Sequence, residues 1–251
     1  MKKIIIANWK MQLDENESLE LIGEYKAKIK PSKQVEVVIA PSFVYLKQLA
    51  DQLKRSNFLL GAQDVAGQKQ GSYTGEVSAE MVKELNCKYV LVGHSERRRS
   101  LGETDELVNQ KINQCYHADL TPVLCIGETM EQKLENKRET VLVQQLSKAL
   151  QKVDALPENE LLIAYEPVWA IGSGHSMESN DMISVLRIIK RTISTMYSDR
   201  FFTEKVRVLY GGSVNAINAA EFLDQDGVAG LLVGTASLKA QDFAEVVNQF
   251  E

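Results

Sequence analysis

The chain has 251 residues, with 29 Lys and Arg against 34 Asp and Glu, for a formal net charge of −5. That length suits one large domain or two small ones, and a composition that is 44% hydrophobic builds a core without help from disulfides or metal. The mild negative charge argues against nucleic acid as the main partner, yet it leaves room for a small anion held by local donors. Cys87, Cys115 and Cys125 form no C-x-x-C pair, and their odd number fits poorly with a disulfide framework, so a reducing cytosol is the expected compartment. The apolar part of "MKKIIIANWK" is too short for a secretory leader, and no later run is long enough to span a bilayer.

In chain order, eight short runs rich in Val, Ile and Leu read as strands: "KIIIANW", "VEVVIAPS", "FLLGAQD", "YVLVGHS", "TPVLCIGE", "LLIAYEP", "VRVLYGGS" and "GLLVGTAS". Several are apolar at consecutive positions, as parallel strands covered on both faces require. Helical spacing separates them. In "NESLELIGEYKAKIK" the stripe is Leu19, Ile22, Tyr25 and Ile29, ended by Pro31. "FVYLKQLADQLKR" repeats it. "TDELVNQKINQCYH" has Thr104 as N-cap, with Leu107 and Ile112 inward. The longest helix is expected after Thr129, with an outer face of Glu, Gln and Lys, and "SNDMISVLRIIKRTISTMY" forms another amphipath.

Strand and helix thus alternate about eight times at the scale of a βαβ step. No linker or low-complexity tract divides the chain. The expected fold is a (β/α)8 barrel formed by residues 1–251 as one domain, with a doubly wound open sheet as the competitor.

In such a barrel, chemistry belongs where strands end. The first strand ends in Asn8 and Lys10, the fourth in His94, Ser95 and Glu96, the sixth in Glu166, the seventh in "YGGS" and the eighth in "VGTAS". Gly211–Ser213 precede a helical segment near Asn215, and Gly234 with Thr235 precede another near Leu238. Exposed N–H groups in such turns favour phosphate, although glycine serves a plain tight turn equally well. His94 is either a structural hydrogen-bonding residue or an imidazole kept neutral by the helix start "HSERRRSLG". His117 reads as a helix end and His175 as solvated. Glu96 and Arg97 read first as members of an ion-pair network, with Glu76 as a candidate partner for Arg97. Lys10 follows an apolar strand and points into the barrel mouth, or else lies on the surface. Glu166 ends a buried strand, and "PVWAIGSG" after it has the makings of a lid: stiff at Pro167, loose at Gly172 and Gly174, and apolar between. Burial under such a lid strengthens a carboxylate as a base.

Four stretches in order, "ANWKMQ", "VGHSERR", "AYEPVWAIGSG" and "YGGSV", resemble the triosephosphate isomerase family, and the match runs from the first strand to the last. The resemblance implies interconversion of dihydroxyacetone phosphate and glyceraldehyde 3-phosphate. It implies Glu166 as base, neutral His94 as electrophile and proton shuttle, Lys10 as electrostatic stabiliser with Asn8 donating a hydrogen bond, and Glu96 beside Lys10. Phosphate would lie on the amides of Gly172, Ser213, Gly234 and Thr235, under a lid spanning 167–177, with Asn8 and Lys10 also on the substrate. Neither metal nor organic cofactor is implied. "QDVAGQKQGSYTGEVSAEM" resembles the family's interdigitating loop, so a homodimer through residues 64–80 is expected, with Thr74 near the partner's Asn8 and Lys10. Thr235 stands where many members have a second glycine, Ser173 replaces a common threonine, and His175 and Ser176 replace the usual lysine-led hinge. The alternatives are an enzyme of the same fold acting on a larger sugar or indole phosphate, and a barrel that only binds its ligand.

Overall fold

All eight apolar runs form parallel strands in a computed structural model of the chain, which describes residues 2–30, 32–154, 156–172 and 177–250. They are β1 (Lys3–Asn8), β2 (Val35–Ala40), β3 (Phe58–Ala62), β4 (Cys87–Val92), β5 (Thr121–Ile126), β6 (Leu161–Tyr165), β7 (Val206–Tyr210) and β8 (Val228–Val233). Each pairs with the next, and β1 returns to β8 through Ile4 opposite Gly230 and Ala7 opposite Val233, so the sheet closes. That pairing rules out the open sheet.

Closure explains the unbroken apolar runs. Ile4, Ile6, Val38, Leu91, Val123, Leu162 and Leu209 point inward and fill the barrel. Their neighbours Ile5, Ala7, Val37, Val90, Leu124, Ile163 and Val208 point outward and meet the helices. Successive side chains alternate between two dry environments, so both faces are mostly apolar, with Glu36 and Arg207 as charged exceptions paired near the strand starts.

The outer layer is α1 (Glu15–Lys28), α2 (Leu46–Leu53), α3 (Ala79–Glu84), α4 (Ser95–Leu101), α5 (Asp105–His117), α6 (Met130–Leu134), α7 (Arg138–Ala149), α8 (Ser179–Met196), α9 (Asp199–Lys205), α10 (Ala219–Leu223) and α11 (Ala240–Val247). Thr104 caps α5 as expected, its side chain accepting from the Leu107 N–H. Three details differ from the expectation. Val108, and not Leu107, is buried beside Ile112. The helical stretch after Thr129 breaks into α6 and α7 because Asn136 adopts a left-handed φ of 56°, so the longest helix is α8. The segment after β8 begins as a 3-10 turn at Thr235, ahead of Leu238, while that after β7 becomes helical only at Ala219. Among the described residues no helix is long and apolar enough to cross a membrane.

The N-terminal end of the barrel is plugged by Arg207, whose Nη2 donates to the Tyr89 hydroxyl at 3.2 Å and to Glu160 at 2.9 Å. At the other end, a charged cluster fixes the loop after β3 to α4 and α5. Lys111, 1% exposed, donates to both oxygens of Asp64 (2.6 and 2.8 Å) and to Glu103 (2.7 Å). Arg97 reaches Asp64 at 2.8 Å and Glu103 at 2.6 Å, so its partners within the chain are these two carboxylates and not Glu76. Burial pushes the Asp64 carboxyl up to about 6 against the pull of Lys111. Glu103 is pressed upward by burial too, but bonds from Lys111 and Arg97 hold it below the usual range.

Because Asp64 takes up its proton more readily folded than unfolded, its contribution favours the fold at low pH and is lost as pH rises through about 6. Lys111→Met is expected to cost about 3–5 kcal/mol at neutral pH, since it removes the buried cation shared by two buried carboxylates and leaves them Arg97 alone. The loss should shrink near pH 5, where Asp64 takes up a proton. Urea denaturation at the two pH values checks this, and an equal loss at both would exclude the cluster as its source.

Candidate active site

The C-terminal end of the barrel opens into a cavity of about 340 Å³, lined by Asn8, Lys10, His94, Glu166, Gly172, Ser213, Gly234 and Thr235 among others. Residues from five strand ends thus converge. Glu96, the remaining candidate, lies one step behind, on a neighbouring cavity of about 640 Å³ that it shares with Asn8, Lys10 and His94.

Lys10 enters the mouth through an unusual backbone. Its φ is +56°, a left-handed conformation that costs a non-glycine residue roughly 1 kcal/mol or more. Three bonds hold it: its N–H donates to Asn8 Oδ1 (3.1 Å), and its carbonyl accepts from Ser42 Oγ and Gln63 Nε2, both at 2.9 Å. Trp9, between them, turns outward and buries its ring against Tyr25. The Lys10 ammonium donates to Glu96 Oε1 at 2.5 Å. Burial alone would raise the Glu96 carboxyl, but this bond holds it below its ordinary value. Lys10 also lies across the turn after β8: a Cβ on Gly234 would sit 3.4 Å from Lys10 Cε.

His94 is the N-cap of α4. Its Nδ1 accepts from the Glu96 N–H at 3.2 Å, so the proton of the neutral ring resides on Nε2. Nε2 lies 2.9 Å from Glu166 Oε1, and the Ser95 N–H donates to Glu166 Oε2 at 2.9 Å. Burial lowers the imidazole's affinity for a second proton, but the Glu166 charge outweighs it and raises the His94 pKa above its ordinary value. The helix start acts against that charge, because a proton on Nδ1 would cost the bond from Glu96.

Glu166 is 2% exposed and follows β6 directly. The chain beyond it turns through Pro167 into a 3-10 turn, Val168–Ala170. Glu128, fully buried at the end of β5, anchors this turn: it accepts from the Tyr165 hydroxyl (3.0 and 2.9 Å), Trp169 Nε1 (3.0 Å) and Arg138 Nε (3.1 Å), while its carbonyl accepts from the Val168 N–H. Lys133 lies 3.3 Å from the centre of the Trp169 ring. Gly172 has a φ of +69° and lines the cavity. Residues 173–176, which include Ser173, Gly174 and His175 of the expected lid, lie outside the described residues. Where description resumes, the Met177 N–H donates to the Tyr210 hydroxyl.

The turns after β7 and β8 supply N–H groups. Those of Ser213, Gly234 and Thr235 donate to no protein acceptor among the described residues, and all three residues line the cavity. Gly212 must lack a side chain, since a Cβ there would overlap the Tyr210 hydroxyl. Chemically, the site offers a carboxylate and an imidazole in contact, a cation beside them, and a patch of unspent amide donors suited to an oxyanion.

Sequence reasoning passed over the Ser95 amide, Glu128 and Tyr210. Glu128 carried a usable signal, a carboxylate directly after an apolar strand, the same that exposed Glu166. The Ser95 amide carried none, because a backbone donor has no residue type.

The family model described as triosephosphate isomerase matches residues 3–250. Triosephosphate isomerases of Dictyoglomus turgidum and Thermoanaerobacter sp. are 44% and 41% identical to this chain, each over 98% of it and 99% of their own length. The crystal structure of triosephosphate isomerase from Bartonella henselae superposes with a TM-score of 0.88 at 37% identity, covering 99% of this chain and 98% of that one.

If Glu166 is what raises His94, neutralising it should reverse the effect. In Glu166→Gln the His94 titration midpoint, followed by NMR of the imidazole, is expected to fall relative to the parent. A midpoint that stays or rises would place the control of the ring's charge elsewhere.

Proposed function

This chain belongs to the triosephosphate isomerase family, and from that premise we propose that it interconverts dihydroxyacetone phosphate and D-glyceraldehyde 3-phosphate by proton transfer through an enediolate. The observation that carries this reading is the contact of Glu166 with His94 Nε2 across a cavity whose other wall holds unspent amides.

In this mechanism Glu166 leaves the Ser95 amide and takes the proton from the carbon beside the carbonyl. The Nε2–H of His94, released from Glu166, donates to the substrate oxygens in turn and shuttles a proton between them. Its pKa falls as the Glu166 charge departs, so the ring acts as a neutral donor. Lys10 stabilises the negative charge that develops on oxygen, assisted by Asn8. Glu96 positions Lys10 through their ion pair. The phosphate rests on the amides of Ser213, Gly234 and Thr235, and the lid of residues 167–177 closes to add that of Gly172 and exclude water. The hub at Glu128 supports a hinge at the start of that lid. No cofactor takes part. The free thiols Cys87, Cys115 and Cys125 are in keeping with the reducing cytosol.

The same reading makes the protein a homodimer. The loop at 64–80 is tied at its neck by the Ala66 N–H donating to the Val77 carbonyl and turns at its tip, where the Glu76 N–H donates to the Tyr73 carbonyl. The neighbouring cavity beside Lys10 is bordered by Met11, 93% exposed, and Val44, 79% exposed, an apolar rim suited to receive Thr74 of a second copy.

Two measurements test this. Glu166→Asp retracts the carboxylate by about one methylene and should lower kcat by about 10²-fold or more with the fold intact, because a misplacement of ~1 Å has that effect on a reacting group. A variant at the parent's rate would remove Glu166 from the role of base. Sedimentation of the parent should give twice the chain mass, and Thr74→Arg should give monomers with much reduced turnover; a parent that sediments as a monomer refutes the dimer.

A further inference from the structure

Lys239 stands between the 3-10 turn Thr235–Leu238 and α11, and it lines the same cavity as Glu166, Ser213 and Gly234. It is exposed, and its ammonium makes no ion pair or hydrogen bond among the described residues. The other charged residues that line the cavity are Lys10, Glu166 and Asp242, with His94 beside them. Lys10 is bonded to Glu96 at 2.5 Å, which offsets its charge. Glu166 and Asp242 are acidic, and the chain as a whole carries −5. A phosphate monoester approaching this mouth therefore meets two carboxylates, a neutralised lysine and one unspent cation.

We infer that Lys239 is a specificity-determining residue for the phosphate end of the substrate: its ammonium draws the dianion to the amides after β7 and β8 and accompanies it there, while Asp242 works against it. The inference rests on the reading that the substrate is a phosphate monoester. Lys239 is remote from Glu166 chemistry in kind: it acts on a charge that does not change during proton transfer, so its effect belongs in capture and affinity. Uniform binding of that sort appears in KM and leaves kcat alone. A single charge facing a dianion through water alters affinity by roughly three- to tenfold at low ionic strength and by about twofold or less when the screening length drops to a few ångströms.

The test compares the parent with Lys239→Met, Lys239→Arg and Asp242→Asn. Each is assayed on D-glyceraldehyde 3-phosphate and on unphosphorylated D-glyceraldehyde, at ionic strengths of about 10 mM and about 0.3 M. Expected for Lys239→Met is a three- to tenfold loss of kcat/KM on the phosphorylated substrate at low salt, carried by KM and mostly gone at high salt. Lys239→Arg should restore most of it, Asp242→Asn should raise kcat/KM at low salt, and turnover of D-glyceraldehyde should be the same in all four. An equal loss on both substrates, a loss insensitive to salt, or no loss at all overturns the inference. Calorimetric titration with inorganic phosphate reads the same charge without turnover: weaker binding by Lys239→Met supports the inference and unchanged binding refutes it. A parent that binds phosphate but isomerises nothing would defeat the proposed function and leave this arm standing; turnover with a silent Lys239 would defeat the inference alone.

Discussion

Glu166 sits between an imidazole and an amide, 2.9 Å from each, and the arrangement of the barrel mouth depends on satisfying that buried carboxylate. A buried carboxylate with no donors would cost several kcal/mol. Here Nε2 of His94 and the N–H of Ser95 satisfy it from adjacent residues at the start of one helix, α4. Both partners thus serve Glu166 in this arrangement. His94 is thereby held in one tautomer, since its other nitrogen is occupied by the Glu96 amide.

A second buried carboxylate organises the segment that follows. Glu128 collects the hydroxyl of Tyr165, the indole of Trp169 and the guanidinium of Arg138, three donors from β6, the turn after it and α7. Charge-assisted bonds of this kind are stronger than neutral ones, and a fully buried acceptor holds its donors in fixed directions. The start of the segment is anchored in this way, and Gly172 farther along has a left-handed φ. Tyr210, which receives the Met177 N–H, packs against Phe222 and excludes any side chain at Gly212, so the far end and the turn after β7 share one support.

The wall of the cavity formed by the turns after β7 and β8 offers main-chain donors. Lys10 is committed to Glu96, and the amides of Ser213, Gly234 and Thr235 carry only fractional positive charge. Amides fixed by tight turns need no reorganisation to meet an oxyanion. Thr235 fits this turn without strain: it opens the 3-10 segment Thr235–Leu238 outside the left-handed region, and its N–H remains available.

The primary sequence determined the repeating unit, the eight strands and the residues at their C-terminal ends, because these follow from local patterns: consecutive apolar residues buried on two faces, and polar residues at the boundary where burial stops. Asn8, Lys10, His94 and Glu166 were visible for that reason. The sequence also carried a break it did not announce, at Asn136, where one left-handed residue splits a helical pattern whose composition runs on unbroken. What only the tertiary structure decided is which groups meet. Arg97 pairs with Asp64 because the fold brings α4 to the loop after β3, a neighbourhood that nothing local specifies, whereas its other partner, Glu103, lies six residues on in the chain. Barrel closure places β1 beside β8, so Lys10 reaches across Gly234 although more than two hundred residues separate them. The direction of a side chain and the vacancy of an amide are properties of the closed sheet, and they come into being only when its first and last strands join.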